Sequence, residues 1–266
     1  MRLTIVALAC ALGLASLPVA AHGIHVNNDG CGVEYKTDYD VSVARNGIDF
    51  TRTDGSPAKV FMHDGRLTVD GHDVRVTDAD ARKLRDYEDA VRALVPEIAA
   101  IARDGIDIGY SAMTTVAATF VADGEDRRTM LAKLQRNHAR ALARLDESIG
   151  AGRWRQHEVD DLVESAVGDS VSEVVGSVTG NAVSAALSGD SAKMAALEAR
   201  ADSLDKAIDR EVNSRADKLG ERAQALCPRL ANLDHLQKSW SVRLPDGSPL
   251  VLMTATPVPK KDLADN

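Results

Sequence analysis

Histidine and aspartate side chains are the first candidates for chemistry in this 266-residue chain. His63-Asp64 and Asp70 with His72-Asp73 fall in neighbouring turns, and imidazole with carboxylate is a donor set for zinc or manganese. A metal held there would support a metal-dependent hydrolase. Against it, Asp before Gly, as in Asp64-Gly65 and Asp70-Gly71, is ordinary turn chemistry. His22 and His25 complete the metal-ligand candidates, because a His at a processed N-terminus offers its α-amine and ring nitrogen together. His138 falls on the apolar stripe of a helix and reads as a hydrogen-bonded seam residue. Asp104 and Asp107 bracket Gly105; polar helix faces around a close-contact glycine explain them better than an acid–base pair. The chain has no Gly-x-Ser-x-Gly, His-Glu-x-x-His or phosphate loop. No catalytic residue is assigned, no cofactor is expected, and an enzyme is the lesser reading.

Charge narrows the partners. With 40 acidic and 32 basic residues the net charge is −8, the wrong sign for a nucleic-acid binder. Aromatics make up 3%, too few for base or sugar stacking platforms. Arg127 to Arg155 holds eight bases and two acids, whereas Glu158 to Glu173 holds six acids and no base. Lys133, Arg136, Arg140 and Arg144 share one helix face. Two readings follow. Either the blocks fold back as an antiparallel hairpin, with Arg136, Arg140 and Arg144 facing Asp161 and Glu164, or the basic face meets an anionic ligand such as lipid headgroups. The expectation is the hairpin. Val174 to Ser188 carries no charge and contains Gly176 and Gly180, a spacing that lets helices approach closely. It is too short to span a bilayer, so tight packing or self-association is expected.

These residues must be positioned by surrounding elements. Residues 1–21 have a basic start, an apolar run from Leu3 to Leu17 and a small-residue site ending at Ala21, the pattern of a cleaved signal peptide. A lipoprotein reading at Cys10 lacks the large aliphatic residue expected where Ala7 stands. Cleavage removes Cys10 and leaves Cys31 and Cys227, which in an oxidising compartment are expected to pair. Residues 22–77 alternate with period two between the dipeptides Asn46-Gly47, Asp54-Gly55, Asp64-Gly65 and Asp70-Gly71, an antiparallel meander. Residues 78–226 are helical. Thr77 with Asp80 marks the start, and Leu84, Tyr87, Val91, Leu94, Ile98 and Ile101 form a coiled-coil-like seam that Pro96 should break or kink. A last long helix should run from Ser191 to Leu226 and end at Cys227-Pro228. Residues 227–266 should form a β-hairpin, Trp240–Leu244 with Leu250–Thr254, and a tail. Asp54-Gly55-Ser56-Pro57 recurs there as Asp246-Gly247-Ser248-Pro249.

Cys31, the β run closing on Leu67-Thr68-Val69-Asp70-Gly71, Tyr87, Val95-Pro96-Glu97-Ile98-Ala99 and Cys227 together resemble the YggN-like proteins, uncharacterised proteins of the proteobacterial envelope. The resemblance implies a periplasmic Gram-negative protein and brings no established activity. The fold expected is α+β: a small antiparallel sheet from both ends of the mature chain, plus long amphipathic helical hairpins. The function expected is a non-enzymatic binding protein that uses a helical face or groove. Its partner would be another envelope protein or an anionic ligand, with no transmembrane span of its own.

Overall fold

Each turn dipeptide closes a hairpin or loop of one meander in a computed structural model, which describes residues 31–121, 124–155, 168–187 and 190–258. The expected signal peptide, His22, His25, Asp161 and Glu164 lie outside the described residues. Strands β2 (Asp40–Ala44), β3 (Gly47–Thr51), β4 (Lys59–His63), β5 (Arg66–Val69) and β6 (His72–Val74) pair in succession. Asp64-Gly65 and Asp70-Gly71 have positive φ at both residues (48° and 76°, 47° and 83°), as two-residue hairpin turns require. Period-two alternation sends Ile48, Phe50, Val60, Met62, Leu67 and Val69 to one face, all buried.

That face packs on helix α1 (Asp78–Phe120) through Leu84, Tyr87, Val91 and Leu94. Thr77 caps α1, its Oγ1 accepting from the Asp80 amide at 3.1 Å. The Asp80 carboxylate accepts from Thr77 Oγ1 (2.9 Å) and also from the Ser241 amide (3.0 Å) and hydroxyl (2.6 Å), which ties the helix start to the tail. Pro96 does not break α1. Its ring removes one amide, but Val91 and Leu94 before it and Ile98 and Ile101 after it pack into the same core, and the helix runs on.

Helix α2 (Glu125–Glu147) folds back on α1, burying Met130, Leu134 and Ala141 with Tyr110, Met113 and Ala117. A 3-10 turn at Ile149–Ala151 then delivers β7 (Arg153–Trp154) to the free edge of β2, so the sheet order is β6-β5-β4-β3-β2-β7. Gly152, at φ +74°, sits where a Cβ would lie 2.6 Å from the Val43 carbonyl, so only glycine lets this segment reach the strand. Helices α3 (Asp169–Leu187), α4 (Ser191–Ile208) and α5 (Ser214–Gln224) follow, with a π-helical turn at Asp209–Asn213 between the last two. The helix expected over 191–226 thus runs on through that π-helical turn to Gln224, with right-handed helical backbone angles on both sides of it.

Cys227-Pro228 begins a helix rather than ending one: α6 is Cys227–Ser239. Proline suits the first turn, where its missing amide would have no helical partner. The expected C-terminal hairpin is also corrected. Only one isolated bridge, Arg243 with Pro249, joins its two arms. Side chains pair much of the backbone of 250–253: Trp240 Nε1 donates to the Leu250 carbonyl (3.3 Å), Thr37 Oγ1 to that of Leu252 (2.7 Å), and Gln237 bonds the Leu252 amide and both backbone groups of Met253. The two ends of the chain still meet in a sheet, because β1 (Val33–Lys36) pairs antiparallel with β8 (Thr254–Pro257). The Cys31–Cys227 disulfide, with Cα atoms 5.6 Å apart, fastens that end to the start of α6. The architecture is α+β. Among the described residues no helix is long and apolar enough to cross a membrane.

Candidate functional site

The proposed metal turns are separated by the topology that creates them. Consecutive turns of a meander lie at opposite ends of the strand between them, here the four-residue β5. At one end, His63 Nδ1 lies 3.2 Å from Glu88 Oε1 and the Asp64 amide donates to Glu88 Oε2 at 2.8 Å. Arg92 donates twice to Glu88 Oε1, at 3.1 and 2.6 Å. Burial pushes the Glu88 carboxyl up, but these hydrogen bonds and the Arg92 charge outweigh it and hold it below the usual range. Gly65 lies so close to α1 that a Cβ would stand 2.6 Å from the Ala81 carbonyl. This is a clamp between sheet and helix. At the other end, Asp70 Oδ1 accepts from the Lys59 amide (2.8 Å), His72 Nδ1 lies 3.0 Å from the Asp70 carbonyl, and Asp73 accepts from Thr68 Oγ1 (3.1 Å). Among the described residues no three His, Cys, Asp or Glu side chains converge on a metal position.

His138 joins α2 to α1, its Nε2 2.6 Å from Asp107 Oδ1 and its ring centroid 5.0 Å from that of Tyr110. Asp104 pairs with Arg222 of α5. Gly105 lies under Leu219, where a Cβ would stand 3.7 Å away, an ordinary contact that does not require glycine.

On the basic face, Lys133 Nζ lies 2.6 Å from Glu173 of α3, and Asn137 Nδ2 donates to the buried Ser170 Oγ at 2.9 Å. The two links set α2 and α3 antiparallel, since the residue number rises along one as it falls along the other. Arg140 donates to Asn137 Oδ1 (2.6 Å), and Arg136, Arg140 and Arg144 are exposed. The partners expected for these arginines, Asp161 and Glu164, are outside the described residues.

Helix α3 has two unlike sides. Val174 is buried against α1 and α2. Val175, Val183 and Leu187 lie off this buried stripe, 56%, 50% and 82% exposed, and Val171 lies at its margin, 40% exposed. Gly176 and Gly180 lie on this open side, and a Cβ on either would meet nothing within 4 Å among the described residues. Among the described residues nothing packs closely against these glycines, and the alternative expectation, self-association, concerns a second copy. Periodicity alone missed this, because an uncharged helix gives no sign of which side is covered.

A cleft of about 520 Å³ lies between β6 and the Arg243–Asp246 turn. Both Asp-Gly-Ser-Pro segments contribute to it, through Ser56-Pro57 and Asp246.

Comparison with curated proteins and with solved structures returned no match. A family match covers residues 31–253, from the first cysteine of the disulfide to the end of the side-chain-paired tail. The chain belongs to the DUF2884 family of proteins of unknown function.

Proposed function

We propose that this chain is an exported, non-enzymatic interaction protein of the periplasm, of YggN-like type, that docks an apolar helix of another envelope protein on the outer side of α3. The observation that carries this reading is the exposure of Val171, Val175, Val183 and Leu187 on a helix with no charged residue from Val174 to its end. Large apolar side chains grouped on one exposed side mark interaction surfaces, and glycines beside them give a partner helix room to approach. The leader-like residues 1–21 and the disulfide support an oxidising compartment. The hydrolase reading is less well supported, because the two His-Asp turns it draws on stand at opposite ends of β5. An anionic ligand on Lys133, Arg136, Arg140 and Arg144 is disfavoured where Lys133 and Arg140 are already engaged.

A photo-crosslinking residue placed at Val183 in cells tests the reading. It should trap one discrete heterologous partner, the adduct should vanish with Val175→Lys, and a probe at exposed Ala195 of α4 should trap none. Equal adducts from Ala195, no adduct at Val183, or adducts made only of two copies of this chain would each overturn docking to another protein.

A further inference from the structure

We propose that the cleft beside β6 binds an extended, lysine- or arginine-rich peptide segment, which adds to the sheet as a further strand. Strand β6 is the outermost strand of the six-stranded sheet. A two-residue turn with both φ positive makes Val69 and His72 the pair that exchanges backbone hydrogen bonds. The next pair, Thr68 and Asp73, is then the non-bonded kind, so the Asp73 amide and carbonyl point away from β5. The short Thr68 Oγ1 to Asp73 Oδ1 contact of 3.1 Å agrees with that close side-chain pairing. Among the described residues no backbone partner takes up the Asp73 amide or carbonyl. An open ladder position of this kind is where an extended peptide can add.

The cleft supplies the rest of such a site. Its volume of about 520 Å³ lies within the usual range of ligand pockets, roughly 300–1,000 Å³. Pro57, Val74, Leu244 and Pro245 give it apolar walls, while Asp70, Asp73 and Asp246 place three carboxylates around it. Of the cationic groups there, Arg243 donates to the Val242 carbonyl at 3.1 Å and the His72 ring is turned to the Asp70 carbonyl. Ser248 donates to Asp246 through its hydroxyl and its amide, at 2.7 and 2.9 Å, and favours the charged form of that carboxylate. The surplus is negative, so alternate side chains of the added strand should be cationic. The cleft shares no residue with α3, and it would bind whether or not α3 docks a partner.

Amide chemical shifts of the mature chain, titrated with the capped peptide Ac-Lys-Val-Lys-Val-Lys-Val-NH2, test this. Shifts should concentrate at residues 70–75 and 243–246. The same peptide methylated on alternate backbone nitrogens, and the glutamate counterpart, should bind markedly less well. Asp70→Asn with Asp246→Asn keeps both hydrogen-bond acceptors while removing two charges, and should weaken binding about three- to tenfold. Asp73→Pro, tolerated on an edge strand, removes the outward amide and should weaken it further. Equal binding of the glutamate peptide, equal binding after N-methylation, or shifts away from β6 would overturn the proposal. So would shifts at β6 produced merely by deleting residues 259–266, because the cleft would then belong to the chain's own tail.

Discussion

Gln237 and Met253 are joined by two hydrogen bonds that reproduce a strand pairing with a single side chain. The Met253 amide donates to Gln237 Oε1 at 3.0 Å, and Gln237 Nε2 donates to the Met253 carbonyl at 2.8 Å. The same Oε1 accepts from the Leu252 amide at 2.6 Å. All three contacts are buried, so α6 fixes the tail without an adjacent strand. Gln237→Leu keeps similar bulk but leaves three backbone groups without partners. It should cost about 2–4 kcal/mol, seen as a lower denaturation midpoint. Amide exchange at Leu252 and Met253 should accelerate before that of the meander. Unchanged exchange there would show that the tail is held by its apolar contacts alone.

Acid should loosen the junction of sheet, α1 and tail. Hydrogen bonds from Ser241 and Thr77, with the nearby Lys83 charge, outweigh burial and hold Asp80 below the usual carboxylate range; Glu88 is lowered as well. A depressed folded pKa contributes stability that is fully present above the unfolded value of about 4 and disappears as pH falls through the folded value. Stability should therefore decline below pH ~4. Glu88→Gln should lower stability by about 1–3 kcal/mol at neutral pH, and the gap from the parent should close under acid. A constant gap from pH 7 to pH 3 would place the Glu88 contribution in packing rather than charge.

Local signals were readable wherever the partner of a residue was near in sequence. The dipeptides Asp64-Gly65 and Asp70-Gly71 specify their own φ values, and Thr77 caps the helix that follows it. The cysteine pair was readable for a different reason, since Cys10 falls in the expected leader and that expectation leaves two cysteines to pair. Long-range decisions were not readable. Whether Pro96 interrupts α1 depends on packing from β-strands and α6. Whether 250–253 pairs with 240–244 depends on Gln237, whose amide looks like any polar helix residue until α6 is placed. The His63 and His72 turns looked adjacent because they are close in sequence, yet an antiparallel meander puts them at opposite ends of β5. The start of α6 at Cys227 was hidden because Cys227-Pro228 reads as a helix end as readily as a helix's first turn.

The disulfide closes most of the described chain into a loop, joining residues 196 apart. Chain-entropy reasoning gives it up to about 5 kcal/mol of stabilisation, acting on the unfolded state. Cys31→Ser with Cys227→Ser should lower the thermal midpoint strongly while leaving far-UV helicity intact at low temperature. The β1–β8 ladder should be the first element to exchange, since β1 begins two residues after Cys31. A double variant as stable as the parent would mean that β1–β8 pairing already holds the two ends together.

The pairing of α2 with α3 decides between a hairpin and an anion-binding face, and it is open to a charge-swap cycle. Lys133 and Glu173 are partly exposed, at 46% and 35% of their side-chain surface, so their coupling should be small, about 0.2–1 kcal/mol. Lys133→Glu and Glu173→Lys should each destabilise, and the double swap should recover most of the loss. High salt should reduce the coupling, because exposed charges are screened over ~8–10 Å at physiological ionic strength. The neighbouring Asn137–Ser170 bond is neutral and lies at a buried hydroxyl, so Ser170→Ala should weaken the same helix pair in a salt-independent way. Strictly additive charge swaps, together with binding to anionic vesicles that is lost in Arg136→Gln, Arg140→Gln and Arg144→Gln combined, would move the basic face from internal pairing to an outside partner. The short Lys133–Glu173 contact, set in register with Asn137–Ser170, argues for coupling and against vesicle binding.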